Sequence, residues 1–141
     1  MLQKVLIVDD SELIHHMYRL VMQRYGCQFL DAMNGQEALD ILQREDDIEL
    51  ILLDINMPVM NGVQFMEKAG ELGIGSRIPI VVISTEGKEE DTVLALRLGA
   101  RGYLKKPFNS TDLYNLVEKI LPAQVQGSRP SSASLTPAEA C

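Results

Sequence analysis

The sequence predicts an α/β fold, a doubly wound parallel sheet of five strands interleaved with five helices. Three observations carry that expectation. Short apolar runs alternate with helical patterns as far as residue 121, an order that implies right-handed crossovers and a sheet covered on both faces. The runs at residues 5–8, 50–53 and 80–83 contain no polar position, as expected of strands buried on both sides. Four strands run out on polar groups, namely Asp9 and Asp10, Asp54, Ser84 and Lys106. The C-terminal ends of parallel strands share one edge, where open sheets of this kind bind their ligands.

Taken in order, Lys4-Val5-Leu6-Ile7-Val8 is the first strand, ending on Asp9-Asp10-Ser11. Leu13, Ile14, Met17, Leu20, Val21 and Tyr25 recur at helical spacing until Gly26 stops them. Residues 27–32 read as a weaker strand nearer a sheet edge. Asn34-Gly35 turns the chain into a helix with Ala38, Leu39, Ile41 and Leu42 on its apolar face. Arg44-Glu45-Asp46-Asp47 is a solvated helix end. Residues 50–53 deliver Asp54, and a helix starting near Asn61 carries Val63, Phe65, Met66 and Ala69 before the glycines at 70 and 73. Residues 78–83 form the fourth strand, with Pro79 tolerable only near its start. The following helix presents Val93, Leu94, Leu96 and Leu98 as its apolar positions and stops at Gly99. Gly102-Tyr103-Leu104-Lys105 is a short fifth strand, and Asn109-Ser110-Thr111-Asp112 caps a last helix bearing Leu113, Leu116, Val117, Ile120 and Leu121. Pro122 closes the domain, and residues 123–141, rich in Ser, Pro, Ala and Gln, read as a flexible tail.

Composition bounds the function. A chain of 141 residues suits one domain with a real core. A formal charge of −7 disfavours a nucleic-acid partner, which needs a basic stripe to displace counterions. No apolar run reaches the length of a bilayer span, and Met1 leads into a strand pattern without a signal peptide, so a soluble cytoplasmic protein with no membrane partner is expected. Cys27 and Cys141 make neither a disulfide framework nor a zinc spacing, and Cys27 reads as a small core hydrophobe. His15 and His16, adjacent on a helix, point about 100° apart and cannot share one metal; they read as surface or partly buried.

Asp54 is where the pattern concentrates. In Leu53-Asp54-Ile55-Asn56-Met57-Pro58 a core strand ends abruptly on a carboxylate, and Pro58 and Gly62 break regular structure. Asp54 lies too far from the helix near Asn61 to serve as its N-cap. Capping and dipole compensation, worth about 1 kcal/mol, account for one of Asp9 and Asp10 but hardly for both.

Asp9-Asp10, Asp54, Ser84 and Lys106-Pro107-Phe108 occur in this order, supported by Asp54-Ile55-Asn56-Met57-Pro58, Gly62, Gly99-Ala100 and Gly102-Tyr103. On these motifs the chain resembles, over about residues 3–121, the receiver domains of two-component signalling, close to the single-domain chemotaxis response regulators. The resemblance implies a flavodoxin-like strand order 2-1-3-4-5, a receiver domain over residues 1–122 and a tail without family counterpart. It implies that Asp54 accepts a phosphoryl group from the histidine of a kinase or phosphotransfer protein, a self-modification and self-dephosphorylation rather than conventional enzyme turnover. Mg²⁺ would be held by Asp10, Asp54 and the backbone carbonyl of Asn56, with Asp9 helping through water. Two unit charges about 4 Å apart at an effective dielectric of about 20 interact by about 4 kcal/mol, so three crowded carboxylates invite a cation. Lys106 would pair with a phosphoryl oxygen, next to a peptide bond to Pro107 that is often cis in the family.

The resemblance further implies a switch. Ser84 would bond the phosphoryl and draw its loop inward. Tyr103 would then turn toward the vacated space and change the face made by the fourth predicted helix, the fifth strand and the last helix, where a downstream target protein docks. Thr85 stands where relatives usually have a smaller residue; with Glu86 it would control access to Asp54, and Gly87 would loosen the loop. Other readings compete. A haloacid-dehalogenase-like phosphatase needs a second acid two residues after its nucleophile, where this chain has Asn56. A flavodoxin needs a phosphate-cradling loop after the first strand, where this chain has two acids. A non-phosphorylated pseudo-receiver acting as a docking module would lack part of the acidic set.

Overall fold

The computed structural model describes residues 4–57, 59–85 and 89–121 of the chain. The sequence readings of Pro58, Glu86, Gly87, Pro122, Cys141 and the tail at 123–141 therefore lie outside the described residues.

Five parallel strands, β1 (Lys4–Val8), β2 (Gln28–Ala32), β3 (Ile48–Asp54), β4 (Ile80–Ser84) and β5 (Gly102–Lys105), pair in the order β2-β1-β3-β4-β5. This is the flavodoxin-like order, with the weak second strand at an edge. The described helices are α1 (Glu12–Met22), α2 (Gly35–Arg44), α3 (Gly62–Glu71), α4 (Ile74–Arg77), α5 (Glu89–Arg97) and α6 (Ser110–Ile120). That is one more than expected. The glycines at 70 and 73 do end α3, but Gly73 then takes a left-handed φ of 73° and starts a single extra turn, whose Ile74 side chain is buried. Helix α1 likewise tightens into a 3-10 turn over Gln23–Tyr25 before Gly26.

Short polar side chains set the helix starts. Ser11, Asn34, Asn61 and Asn109 each accept a hydrogen bond from a backbone N–H in the first turn that follows. Asn61 and Gln64 bond reciprocally, a capping box that fixes where α3 leaves the loop after Asp54. In that loop Val59 adopts a φ of 66°, unusual for a β-branched residue, and turns its side chain to solvent at 80 % exposure.

The sheet is covered on both faces. One core layer joins Leu6, Val8, Ile51, Leu53 and Val82 to Ala38, Phe65, Met66 and Ala95 from α2, α3 and α5. The other joins Val5, Ile7, Leu50, Leu52 and Ile83 to Tyr18, Met22, Leu113 and Val117 from α1 and α6. Alternate residues of β1 and β3 thus enter opposite layers, which is why neither strand carries a polar position there. Cys27 packs half-buried against the second layer, and burial pushes its thiol up to about 11.

Two helices present faces other than those their leucines predict. In α1 the buried residues are His15, Tyr18 and Met22, while Leu13 and Leu20 stand 76 % and 69 % exposed. In α5 the buried residues are Thr92 and Ala95, and Val93, Leu94 and Leu96 face outward. Among the described residues no helix is long and apolar enough to cross a membrane.

Gly62 locks the start of α3 to the end of β3. Its N–H donates to the Ile55 carbonyl at 2.8 Å, and an added Cβ would lie 2.6 Å from Ile55 Cα and 2.7 Å from the Asp54 carbonyl oxygen. Both neighbours are backbone and cannot turn away. Gly62→Ala is therefore expected to lower stability by about 1–3 kcal/mol, the usual range for overpacking, measured by urea denaturation; an unchanged midpoint would mean that α3 moves freely relative to β3.

Candidate functional site

Four strand ends build the site. The ladder between β1 and β2 ends at Val8 and Ala32, and the next N–H, of Asp9, still donates to the Ala32 carbonyl at 3.1 Å. Asp54, the last residue of β3, pairs in register with Ile83 of β4. Ser84 pairs with Lys105 of β5, and the Lys106 N–H donates to the Ser84 carbonyl at 2.7 Å. The sheet itself thus brings Asp9, Asp54, Ser84 and Lys106 to one edge. The Lys106–Pro107 peptide bond is cis.

Asp9, Asp10 and Asp54 each offer a carboxylate oxygen, and these atoms lie within 4.8 Å of one another; Asp9 and Asp54 are buried and Asp10 is exposed. Lys106 Nζ donates to Asp9 Oδ2 at 3.0 Å and lies 3.6 Å from Asp54 Oδ1. Ser11 N–H donates to the other Asp9 oxygen at 3.0 Å. One ammonium faces three carboxylates, and hard oxygen donors with one side open to water suit a small divalent cation such as Mg²⁺. The residues present fit such an ion.

Burial, with two acidic neighbours, shows at Asp54. Burial raises its carboxyl, Lys106 opposes this, and Asp9 and Asp10 add to the rise over a hydrogen bond from the Asn56 N–H; the outcome is a pKa raised from 3.8 to about 6. Tyr18, stacked on Phe108 with ring centroids 6.0 Å apart, has its phenol pushed up by burial and by the negative charge of Asp9 and Asp54.

The remaining candidates are placed as follows. Ser84 is buried, and its hydroxyl is bonded to the Thr92 hydroxyl of α5 at 3.0 Å. Tyr103 is half-buried on β5, beside a groove of about 480 Å³ that it shares with Arg101, Leu116, Lys119 and Ile120. Thr85 is exposed and lines a groove of about 520 Å³ together with Ile14, Met17, Lys106, Pro107 and Phe108. Asn56 is exposed at the loop start, and Glu86 lies outside the described residues.

The sequence reading missed Thr92, and it placed His15 wrongly. His16 is exposed, but His15 is only 3 % exposed, with Nε2 2.8 Å from the Asp9 carbonyl oxygen and Nδ1 2.6 Å from Asp31 Oδ1. Arg19 holds the other oxygen of Asp31. Burial tends to raise the Asp31 carboxyl, but Arg19 and His15 outweigh it and hold it below the ordinary 3.8. The available signal was the spacing of His15 and Arg19, one helical turn apart.

An acidic strand-end cluster with a lysine reaching into it, on a 2-1-3-4-5 sheet, defines the class of two-component receiver proteins. The family profile described as the response regulator receiver domain matches residues 5–118, and the chain belongs to that family. It is 33 % identical over 119 residues to a chemotaxis protein CheY homolog of Campylobacter jejuni, covering 84 % of this chain and 92 % of that one. It is 34 % identical over 120 residues to the transcriptional regulatory protein CpxR of Escherichia coli, covering 85 % of this chain but 50 % of the longer relative. Among solved structures, the chemotaxis protein CheY4 of Vibrio cholerae superposes with a TM-score of 0.76 at 34 % identity, covering 86 % of this chain and all 100 % of that one. The comparisons support a chemotaxis-type single-domain receiver.

A raised carboxyl costs stability once it ionises. Below about pH 4 Asp54 is protonated whether folded or unfolded; as pH climbs through about 6 the folded chain must hold a charge that the unfolded chain carries in water. In EDTA at neutral pH, Asp54→Asn is expected to raise the melting temperature by several degrees, with the gain vanishing near pH 4. A gain of equal size at both pH values would show that ionisation of the buried Asp54 is not its cause.

Proposed function

We propose that this protein is a phosphoryl relay, in which Asp54 takes a phosphoryl group from the phosphohistidine of a kinase or phosphotransfer protein. The observation that carries the reading is the reach of Lys106 to both Asp9 and Asp54 within a cluster of three carboxylates. An Asp54 carboxylate oxygen attacks phosphorus, the P–N bond to the donor imidazole breaks with its electron pair going to nitrogen, and an acyl phosphate results. Asp54 remains ionised enough at neutral pH to attack, while its raised pKa marks a carboxylate short of stabilising partners. Lys106, already 3.6 Å from an Asp54 oxygen, is within reach of a phosphoryl oxygen bound there. Asp10, Asp54 and the Asn56 carbonyl would hold Mg²⁺, with Asp9 helping through water, and the ion would supply positive charge against the negative charge of the transferring phosphoryl oxygens.

Ser84 is the switch residue in this reading. Its hydroxyl leaves Thr92 to bond the phosphoryl, and α5 loses a buried hydrogen bond to the strand. Tyr103 and the outward Val93, Leu94 and Leu96 lie on the α5-β5-α6 side, and an apolar patch there suits a downstream protein target. The relay works in the cytoplasm, where its kinase would present the phosphohistidine.

Acetyl phosphate with Mg²⁺, or beryllium fluoride, is expected to modify wild-type protein once and Asp54→Ala not at all, as read by intact mass; equal labelling of the variant would refute Asp54 as acceptor. Asp10→Ala is expected to weaken Mg²⁺ binding by about tenfold or more, an affinity change of about 1.4 kcal/mol, in calorimetric titration.

Thr85 governs traffic at the mouth of the site. It is stiff at χ1 and borders the groove that ends at Lys106. Thr85→Ala is expected to speed autophosphorylation by acetyl phosphate and to shorten the phosphorylated lifetime, each a few-fold, or under about 1.4 kcal/mol of barrier. Stopped-flow rates unchanged in both directions would leave Thr85 a bystander.

A further inference from the structure

Asp9 is held on every polar atom, and the hold on its carbonyl comes from a side chain of α1. The strand N–H of Asp9 is satisfied by Ala32, one carboxylate oxygen by the Ser11 N–H and the other by Lys106. Its carbonyl lies past the last β1–β2 pair, and the His15 ring fills the role a strand N–H plays further down, at 2.8 Å. The ring is itself fixed. Its second nitrogen lies 2.6 Å from Asp31 on β2, and Arg19, one turn along α1, grips the same carboxylate and lies over the Phe29 ring at 5.8 Å. The two ring nitrogens thus bridge a backbone carbonyl at the end of β1 and a carboxylate on β2.

We propose that His15, clamped by Asp31 and Arg19, is a positioning residue that sets the geometry of the acidic site by fixing the backbone of Asp9. The proposal rests on the reading of Asp9, Asp10 and Asp54 as a divalent-cation site. Asp9 and Asp10 are neighbours at the point where β1 gives way to α1, so a rotation of the Asp9 peptide swings both carboxylates. Side chains that orient metal ligands from behind commonly govern affinity as strongly as a ligand itself. A wholly structural histidine would contribute to folding without any preference for which of its two nitrogens survives substitution.

That difference supplies the test. Gln at position 15 keeps a donor near the place of Nε2, toward the Asp9 carbonyl, whereas Asn keeps one near Nδ1, toward Asp31. Mg²⁺ affinity by calorimetry, beryllium fluoride labelling of Asp54 by intact mass, and thermal stability are measured on the full chain and on His15→Gln and His15→Asn. His15→Asn is expected to lose about tenfold in Mg²⁺ affinity and His15→Gln no more than about twofold, with similar falls in melting temperature. Equal affinities in both variants, or losses that simply follow melting temperature, overturn the positioning role while wild-type labelling leaves the receiver reading intact. Wild-type protein that neither binds Mg²⁺ nor takes up beryllium fluoride overturns both. Should His15→Asn fail to fold, Asp31→Ala at the more exposed end of the clamp is measured in its place; a few-fold loss of Mg²⁺ affinity is expected, and unchanged affinity overturns the proposal.

Discussion

Three carboxylates meeting one ammonium at the edge of an otherwise apolar sheet is the constraint around which this molecule is arranged. Asp9 and Asp54 are buried there, and among the described residues only Lys106 supplies a close positive charge. Like charges so crowded are unfavourable in any folded protein unless something else holds them together. Here the holding is done by parallel pairing, because the β1, β3 and β5 ends are fixed by hydrogen-bonded ladders through residues that are almost wholly apolar. The core below the site thus sustains an edge crowded with negative charge, of the kind that a cation relieves.

The surroundings of the site extend this logic. The capping box at Asn61 and the close approach of Gly62 to Asp54 keep the loop after β3 in one place. The bond between Ser84 and Thr92 ties the end of β4 to α5. On the other side, Tyr18 and Phe108 stack where the α1–α6 layer meets the sheet. A receiver of this family therefore needs little beyond its strand ends, and relatives attach the same module to different outputs, as the half-length match to CpxR illustrates.

Much of this was legible in the sequence because it depends on strand periodicity and turn residues. Uninterrupted runs such as Leu50 to Leu53 allow few structures other than a buried strand, and Asp54 at the end of one has few places to go. The caps at Asn34, Asn61 and Asn109 were similarly readable. What escaped was helix rotation. Leucines at 13 and 20 look like core, but the sheet surface under α1 accepts Tyr18 and Met22, with His15 beside them, and the leucines are turned outward. The rotation goes with contacts to Asp9 and Asp31, which are distant in sequence from His15 by 6 and 16 residues, and the one-turn spacing of His15 and Arg19 is the only local trace of them. The extra turn at Ile74 was hidden for a different reason, since glycines at 73 and 75 argue against any helix until Ile74 and Ile78 find the core.

Helix α5 rests on the sheet through Ala95 and Thr92, with its larger side chains pointing away. A contact made by small residues creates little void when it slides, so displacement of this helix forfeits far less packing than the same movement of α3, which is anchored by Phe65 and Met66. The domain is thereby mechanically uneven. Its amides are expected to exchange with solvent deuterium soonest along α5 and latest in β1 and β3, the strands sealed between two layers. An uneven grain of this kind leaves one helix easier to displace than the sheet that carries the acidic edge.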